Sequence, residues 1–271
     1  MQSARKIAVT GATGRVGRHV VDVLEDRGHD VVPISRSSGV DVITGEGLAE
    51  ALAGVESIVD AATQPANDLD AATAFFTTST RNLQEVGQDA GVQRIVMISI
   101  VGADRFTGSF LAASAEHERA MATGPIPVQI LRATQFHEFV PQMVEWGTQG
   151  DVVYVPRIRT QPVAARSVAE ALTDLATVSG TEPASDGTPI PEIAGPREER
   201  LVDLARLFVS RGGEQLPVEE VSDPADPDHG LLENGALLPA PDATLAGPSF
   251  EEWLEAELED VPLRAGRSSV E

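Results

Sequence analysis

The chain has 271 residues, no cysteine and a formal net charge of −22 at pH 7. This length suits one large α/β domain or a domain with an added lobe. The absence of cysteine excludes disulfides, thiolate metal sites and cysteine nucleophiles. The acidic balance argues against nucleic acid as a partner, because a phosphate backbone needs a basic face. No apolar run reaches the length of a membrane span and no signal-peptide core is seen, so we expect a cytoplasmic protein.

A glycine-rich turn joins the first predicted strand, Lys6–Thr10, to the first predicted helix, Val16–Arg27. Its glycines follow a G-x-x-G-x-x-G spacing. Gly11 permits a sharp turn, Gly14 lets the backbone approach a pyrophosphate, and Gly17 lets the helix lie close to the sheet. Free N–H groups at the start of the helix would face the phosphates. The pattern predicts dinucleotide binding, with an ordinary glycine turn as the alternative.

Short apolar strands alternate with helices through the first half of the chain. The further predicted strands are Val31–Ser35, Ser57–Asp60, Arg94–Ser99 and Val128–Arg132. The further predicted helices are Gly47–Ala53, Asp70–Ala90 and about Phe110–Ala122. This alternation indicates an α/β fold with a Rossmann-like, doubly wound parallel sheet that is covered on both faces.

The alternation loosens after about residue 133. Helices are predicted near Phe136–Trp146 and at Ser167–Thr177, Leu201–Arg211 and Phe250–Leu258, with a strand over 152–155. Segments 181–191 and 222–248 are rich in proline, glycine and small polar residues and are predicted to be loops. We therefore divide the chain into an NADP-binding Rossmann core over 1–133 and a small substrate-side lobe over 134–271. The lobe is expected to pack on the core and not to be independent.

The segment Thr10–Gly17 resembles the glycine loop of the atypical short-chain dehydrogenase/reductase group, the NmrA-like or NAD(P)H-binding Rossmann proteins. Three further segments resemble this family, namely 41–55, Ile98–Gly102 and Ile130–Phe136. The resemblance covers most of residues 5–211 together with 249–257. It implies a Rossmann fold and a nicotinamide cofactor, and it says little about the substrate.

The proton relay of many relatives has no counterpart in this sequence. Those relatives carry Tyr-x-x-x-Lys at the start of the helix corresponding to Phe110–Ala122, where this chain has Ser109 and Ala113. In the relay the lysine holds the ribose and lowers the pKa of the tyrosine, so that the phenol can pass a proton. The chain has one tyrosine, Tyr154, and one lysine, Lys6. No other alignment with the relatives can therefore supply the tyrosine–lysine pair.

The end of the second predicted strand favours NADP over NAD. An NAD site usually has a carboxylate here for the ribose 2′-OH. This chain instead has Ser35, Arg36 and Ser37, which suit a 2′-phosphate, or which form a solvent-facing turn. Arg15 could add a second contact. The complete predicted cofactor set is Gly11, Thr13, Gly14, Arg15, Val16, Gly17, Ser35, Arg36, Ser37, Asp41, Ala61, Ala62 and Thr63. In that set Asp41 resembles the family's adenine-contacting acid, with a simple loop carboxylate as the alternative.

Few side chains are candidates for chemistry. Ser99 ends a strand at the edge where open α/β sheets bind ligands, so its hydroxyl could hold a substrate oxygen, or it could simply end the strand. His117 could act as an acid, with an exposed helix histidine as the alternative. The resemblance places Gln135 beside the nicotinamide as the third catalytic candidate. Phe136 and His137 are the predicted substrate-contacting residues. No histidine pair has metal-ligand spacing, so no metal is expected.

Together these features predict an NADP(H)-dependent oxidoreductase of the atypical short-chain dehydrogenase type. Without the relay, a conjugated acceptor is favoured, either quinone- or flavin-like or a biosynthetic intermediate, because such a compound spreads the incoming charge. Two alternatives stay open, a non-enzymatic NADP-binding redox sensor or regulatory protein and a biosynthetic cyclase or isomerase. The expected partner is a small-molecule substrate, with no nucleic acid and no membrane. A homodimer is left open.

Overall fold

The structure is a computed structural model, and it describes residues 4–64, 68–178, 189–213 and 216–260. The strands are β1 (Lys6–Thr10), β2 (Asp30–Ile34), β3 (Ser57–Asp60), β4 (Arg94–Ile100), β5 (Val128–Ala133), β6 (Thr148–Gln149), β7 (Val152–Pro156), β8 (Arg159–Thr160), β9 (Glu192–Ala194), β10 (Glu199–Arg200), β11 (Val218–Val221) and β12 (Thr244–Leu245). The helices are α1 (Gly17–Asp26), α2 (Leu48–Ala51), α3 (Leu69–Ala90), α4 (Ser109–Ala122), α5 (Phe139–Gly147), α6 (Ala165–Thr177), α7 (Leu201–Arg211), α8 (His229–Glu233) and α9 (Phe250–Asp260).

The central sheet has seven strands in the order β2-β1-β3-β4-β5-β9-β12, and each neighbouring pair is parallel. The chain runs outward from β1 to β2 on one side and then from β3 onward on the other. The strand order therefore reverses between β1 and β3. In open α/β sheets this reversal leaves a crevice at the carboxyl ends of the strands, where ligands bind.

Both faces of the sheet are covered, which is why the central residues of its strands are mostly apolar. On one face Ile7 and Val9 pack in a core cluster with apolar residues of α1 and α6. On the other face Ala8 and Ile58 pack with Leu83 of α3 and Met121 of α4 in a second cluster. The two layers hold the strand ends rigidly and so fix the positions of the loops that leave them.

A smaller lobe is built from the second half of the chain. The strands β6, β7 and β11 form a three-stranded sheet, and β8 pairs with β10. Val153 and Val155 of β7 pack with apolar residues of α5, α7 and α9. Phe106, which follows β4, belongs to the same cluster. The lobe therefore attaches to the core at the carboxyl edge of the central sheet.

The predicted fold class is confirmed, and the first five predicted strands match the observed ones to within about one residue. The predictions missed β9 and β12, which extend the central sheet beyond residue 133, because strands of two or three residues show no alternation. They also missed α8, which lies inside the loop predicted over 222–248, and β11. Helix α5 begins at Phe139 rather than near Phe136, since Phe136 forms a β-bridge with Val163. Within the loop predicted over 181–191, residues 181–188 lie outside the described residues.

The helices in the described ranges include none that is both long enough and apolar enough to cross a membrane.

Candidate cofactor and active site

The glycine loop makes its turn at the carboxyl end of β1. Gly11 has a φ of +62°, and an added Cβ there would overlap the carbonyl oxygen of Ala61. An added Cβ at Gly17 would overlap the carbonyl oxygen of Gly11. At Gly14 a Cβ would lie 3.0 Å from that same oxygen, and the only other neighbour within 4 Å is the carbon of the same carbonyl. Gly11 and Gly17 therefore form the turn, and Gly14 faces open space among the described residues. We call this space the glycine groove, and the pyrophosphate contact there stays a prediction.

Arg15 connects the glycine loop to α5. Its Nη2 donates a hydrogen bond to Oε1 of Gln142 at 2.9 Å. Burial lowers the pKa of Arg15, and the nearby carboxylate of Glu138 partly opposes this shift. Thr13 is exposed beside it, whereas Val16 is buried in the core. The guanidinium is therefore held against α5 at the side of the groove.

The turn after β2 holds a cluster of hydroxyls beside an unpaired arginine. Ser35 and Ser38 cap a short 3₁₀ turn reciprocally, with the backbone N–H of each donating to the side chain of the other at 3.0 and 3.2 Å. The hydroxyls of Ser35 and Ser37 lie 2.9 Å apart. Arg36 is exposed and forms no ion pair with any residue in the described part of the chain. Its guanidinium is free to meet an anion.

The predicted adenine contact, Asp41, shapes its own loop. Its Oδ1 accepts hydrogen bonds from the backbone N–H groups of Ile43 at 2.7 Å and Thr44 at 3.3 Å. Asn82 of α3 donates to the carbonyls of Val42 and Ile43 and so holds the loop in place. The structure thus shows a turn-forming role for this carboxylate, and the adenine contact stays a prediction.

Ser99 is the buried hydroxyl of the site. It is 5% exposed, and its Oγ has no hydrogen-bond partner among the residues that the structure describes. Asp60 pairs in register with Met97 of β4, which packs in the cluster formed with α3 and α4. Ser99 is two residues beyond Met97, and residues two apart on a strand share a face. Ser99 and Asp60 therefore point to the face covered by α3 and α4. Because a buried hydroxyl normally has a partner, Ser99 stands out as an unsatisfied donor at the carboxyl end of β4, and its contact with a ligand stays a prediction.

The side chains of Asp60 and His117 form a buried contact that was not predicted from the sequence. Oδ2 of Asp60 lies 3.4 Å from Nε2 of His117, and the two side chains are 1% and 5% exposed. Oδ1 of Asp60 accepts hydrogen bonds from the hydroxyl of Thr10 and, at 3.2 Å, from the backbone N–H of Ala62. The imidazole ring stacks on Phe76, with ring centroids 4.4 Å apart. His117 is therefore not an exposed helix histidine, and that alternative is wrong.

Burial raises the pKa of Asp60, but the imidazole, the Thr10 hydroxyl and the Ala62 amide together outweigh it, and the pKa lies below its usual range. These contacts therefore favour the ionised form of the Asp60 carboxyl. A sequence signal did exist, because Asp60 is the one charged residue in the otherwise apolar or small strand β3.

The segment after β5 places the other predicted residues. Oε1 of Gln135 accepts a hydrogen bond from the hydroxyl of Thr160 at 2.7 Å. His137 is fully buried, its Nε2 lies 3.0 Å from the carbonyl oxygen of Pro248, and its ring contacts two aromatic rings of α9. Burial lowers the pKa of His137 to about 4. The structure thus gives His137 a packing role and separates it from Gln135 and Phe136, which line a crevice.

Two concave regions lie near these residues. A narrow apolar crevice of about 10 Å³ is lined by Gln135, Phe136, Phe139, Val140, Ile158, Thr160, Pro162, Leu201 and Leu204. A larger cavity of about 690 Å³ lies between the start of α3, the loop after β4 and α4. The predicted site residues do not line this second cavity, which instead contains the bidentate contact of Arg132 with Glu118, at 2.9 and 2.7 Å.

The only lysine and the only tyrosine lie away from the start of α4. Nζ of Lys6, in the first residue of β1, donates to the carbonyl of Ala53 at 2.8 Å. Tyr154 lies in β7 of the smaller sheet, paired with Glu219. Ala113 is completely buried, and the side chain of Ser109 lies outside what the structure describes. Within the described ranges no cluster of histidine, aspartate or glutamate side chains could hold a metal ion.

Comparison with known proteins identifies the group to which this arrangement belongs. The family model described as NAD(P)H-binding matches residues 11–177. The chain is 30% identical over 115 residues to photosystem II assembly factor Ycf39 of Synechocystis, a match that covers 37% of this chain and 35% of that protein. It therefore spans only about a third of that relative's length.

Two solved structures share the fold. The dTDP-4-dehydrorhamnose reductase of Bacillus anthracis, solved with NADP, matches with a TM-score of 0.70 and 16% identity, over 96% of this chain and 100% of that one. An NADPH-dependent quinone oxidoreductase of Escherichia coli matches with a TM-score of 0.61 and 19% identity, over 93% and 99%. The family match covers more than half of the chain and agrees with the glycine groove. The chain therefore belongs to the NAD(P)H-binding family of Rossmann proteins and binds a nicotinamide dinucleotide, and the resemblance to the atypical short-chain dehydrogenases is confirmed.

Proposed function

We propose that this protein is an NADP(H)-dependent oxidoreductase that transfers a hydride to a conjugated small-molecule acceptor, such as a quinone or a flavin, without a tyrosine–lysine relay. The observation that carries the proposal is the Ser99 hydroxyl, which is buried at the carboxyl end of β4 and has no hydrogen-bond partner within the described residues. This strand lies next but one to β1, which leads into the glycine groove.

The preference for NADP rests on the turn after β2. A 2′-phosphate is recognised best by a guanidinium supported by hydroxyl donors. Arg36 is exposed and unpaired among the described residues, and the hydroxyls of Ser35 and Ser37 lie beside it. A carboxylate that would bind a free ribose 2′-OH is absent from 35–38.

The chemistry follows from what this chain's residues can do. A bound reduced nicotinamide supplies a hydride, which is two electrons and a proton. Ser99 donates a hydrogen bond to the acceptor oxygen, where negative charge accumulates. Because the Thr160 hydroxyl occupies Oε1 of Gln135, the amide N–H groups of Gln135 remain as donors toward the crevice. The second proton comes from water, since Lys6 and Tyr154 lie elsewhere.

The crevice supports an apolar, flat acceptor. Apart from Gln135 and Thr160, its lining is apolar or aromatic, which suits a ring system better than a sugar or an acid. Its volume of about 10 Å³ accepts only one small group, so an acceptor would lie across its mouth. A conjugated ring fits this arrangement because it delocalises the incoming charge and needs less help from a positioned acid.

Turnover measurements test the reaction. NADPH consumption is followed with a quinone, a free flavin and an unconjugated secondary ketone. We expect turnover with the quinone or the flavin and not with the ketone. Efficient ketone reduction without quinone reduction would contradict the mechanism.

Calorimetry tests the cofactor preference. Wild type should bind NADPH more tightly than NADH, and Arg36→Ala should remove most of the difference. One charge-assisted phosphate contact is worth roughly 1.5–3 kcal/mol, or about ten- to a hundredfold in affinity. Arg81→Ala is the matched control, because Arg81 is also exposed and forms no ion pair with the described residues. A preference that survives Arg36→Ala would show that the phosphate contact is assigned wrongly.

A second candidate is a non-enzymatic NADP-binding regulatory protein, and the narrow crevice favours it. A sensor needs a cofactor groove but no room for an acceptor. Tight NADPH binding without turnover of any acceptor would support this candidate over the enzyme.

A further inference from the structure

A buried polar network joins the two strand ends between which the order of the sheet reverses. Thr10 is the last residue of β1 and pairs in register with Asp60, the last residue of β3. The Thr10 hydroxyl donates to Oδ1 of Asp60, and the same oxygen accepts the N–H of Ala62 at 3.2 Å. One carboxylate oxygen therefore contacts both chain segments that leave the sheet at the cofactor edge.

The segments that it joins are the walls of the cofactor groove. Gly11 follows Thr10, and its Cα lies so close to the carbonyl oxygen of Ala61 that an added Cβ would overlap it. A small shift of the turn after β3 would therefore push directly on the glycine loop. Positioning of this kind matters because phosphate and ribose contacts fail when donors move by about 1 Å.

The other carboxylate oxygen faces His117 of α4 at 3.4 Å. The contact is looser than an aligned hydrogen bond, and neither atom has a hydrogen-bond partner among the described residues. The His117 ring is held by its stacking on Phe76 and is almost completely buried. Since an isolated buried charge is unfavourable, the carboxylate form of Asp60 depends on its contacts with the imidazole, the Thr10 hydroxyl and the Ala62 N–H.

We propose that Asp60 is a positioning residue of the dinucleotide site, which holds the end of β1 and the turn after β3 at a fixed separation, with His117 in contact with its second oxygen. The role does not depend on which dinucleotide binds, because the network lies at the glycine groove and not at the turn that carries Arg36.

The test compares two substitutions of one residue. Asp60→Ala removes the shared acceptor, and Asp60→Asn keeps an oxygen that can accept from Thr10 and Ala62. Binding of NADPH and NADH is measured by calorimetry, and Tm is measured alongside. We expect Asp60→Ala to weaken both cofactors about tenfold and by the same factor, and Asp60→Asn to recover to within about threefold of wild type. An unchanged NADPH/NADH ratio separates this result from an error in the Arg36 assignment, which would alter the ratio.

The matched control is Glu118→Gln. Glu118 is the next residue of α4 and is also a buried carboxylate, but it forms an ion pair with Arg132 of β5. The Glu118→Gln substitution should lower Tm and leave the affinities for NADPH and NADH within about twofold of wild type. In the cofactor-free protein, hydrogen exchange at the Ala62 amide should speed up in Asp60→Ala and not in Glu118→Gln.

Three results would overturn the proposal. They are wild-type affinity in a folded Asp60→Ala protein, equal losses in the Ala and Asn variants, and a comparable loss of affinity in Glu118→Gln. If Asp60→Ala does not fold, Thr10→Val removes one donor with almost no change of shape. That variant should weaken both cofactors about threefold, and an unchanged affinity there would also overturn the proposal.

Discussion

The glycine loop allows cofactor binding and folding to be perturbed separately. An added Cβ at Gly14 lies 3.0 Å from one carbonyl oxygen and otherwise faces the open groove. Gly14→Val therefore needs a shift of only a few tenths of an ångström for its Cβ, and its two methyl groups extend into the space of the pyrophosphate. The phosphate oxygens would lose one or two charge-assisted hydrogen bonds from the backbone, each worth roughly 1.5–3 kcal/mol. We expect NADPH affinity to fall about a hundredfold with little change in Tm.

Gly17→Ala is the contrasting variant. Its Cβ would overlap the Gly11 carbonyl oxygen, so the turn itself must move. Overpacking of this kind typically costs about 1–3 kcal/mol of stability, and each kcal/mol lowers Tm by roughly 2–4 °C in a protein of this size. Calorimetry with NADPH and thermal unfolding are measured on both variants. A folded Gly14→Val protein with wild-type affinity would refute the placement of the pyrophosphate.

Three further predictions concern single side chains. Ser99→Ala should lower kcat/KM by about tenfold, which is the value of one neutral hydrogen bond. It should leave Tm unchanged, because the hydroxyl has no partner among the described residues. An unchanged kcat/KM would remove Ser99 from the mechanism. Tyr154→Phe should leave turnover unchanged, since Tyr154 lies in β7, and a large loss would point to a relay. Burial lowers the pKa of His137 from 6.5 to about 4, so the unfolded chain binds the proton first as the pH falls. Stability should therefore decrease between pH 6.5 and about 4, and His137→Gln should flatten that part of the Tm profile.

The sequence predicted the elements whose signals are local. β1, the glycine turn and α1 are adjacent in the chain, and the residues that define them lie within about twenty positions, so pattern and chemistry could be recognised together. β9 and β12 contain three and two residues. β9 is a strand because β5 offers it an edge, and β12 is a strand because β9 offers it the next edge. Such an edge exists only in the assembled sheet, so no local sequence pattern indicates it.

The same distinction separates the site residues. Ser99 and Gln135 could be proposed from sequence because Ser99 lies at the end of β4 and Gln135 follows β5, and their roles stay predictions. The burial of His117 was missed, although Ala113, His117 and Met121 are spaced by four residues and all three are buried, so the helical period contained the information. The pairing of Thr10 with Asp60 could not be predicted, because it depends on the register of two strands fifty residues apart.

Asp41 and Asp60 show why burial, and not residue type, decides what a carboxylate does here. Each accepts a hydrogen bond from the backbone N–H two residues further along the chain, at 2.7 and 3.2 Å, so both use the same local turn. Asp41 remains partly open to water, whereas the Asp60 side chain is 1% exposed beside the glycine groove, where we predict that the phosphates bind. A lone carboxylate at that position would be costly to bury and would repel the phosphates. His117 contacts the second carboxylate oxygen at 3.4 Å, so we expect substitutions at His117 to loosen Asp60 and to change NADPH affinity, which calorimetry measures.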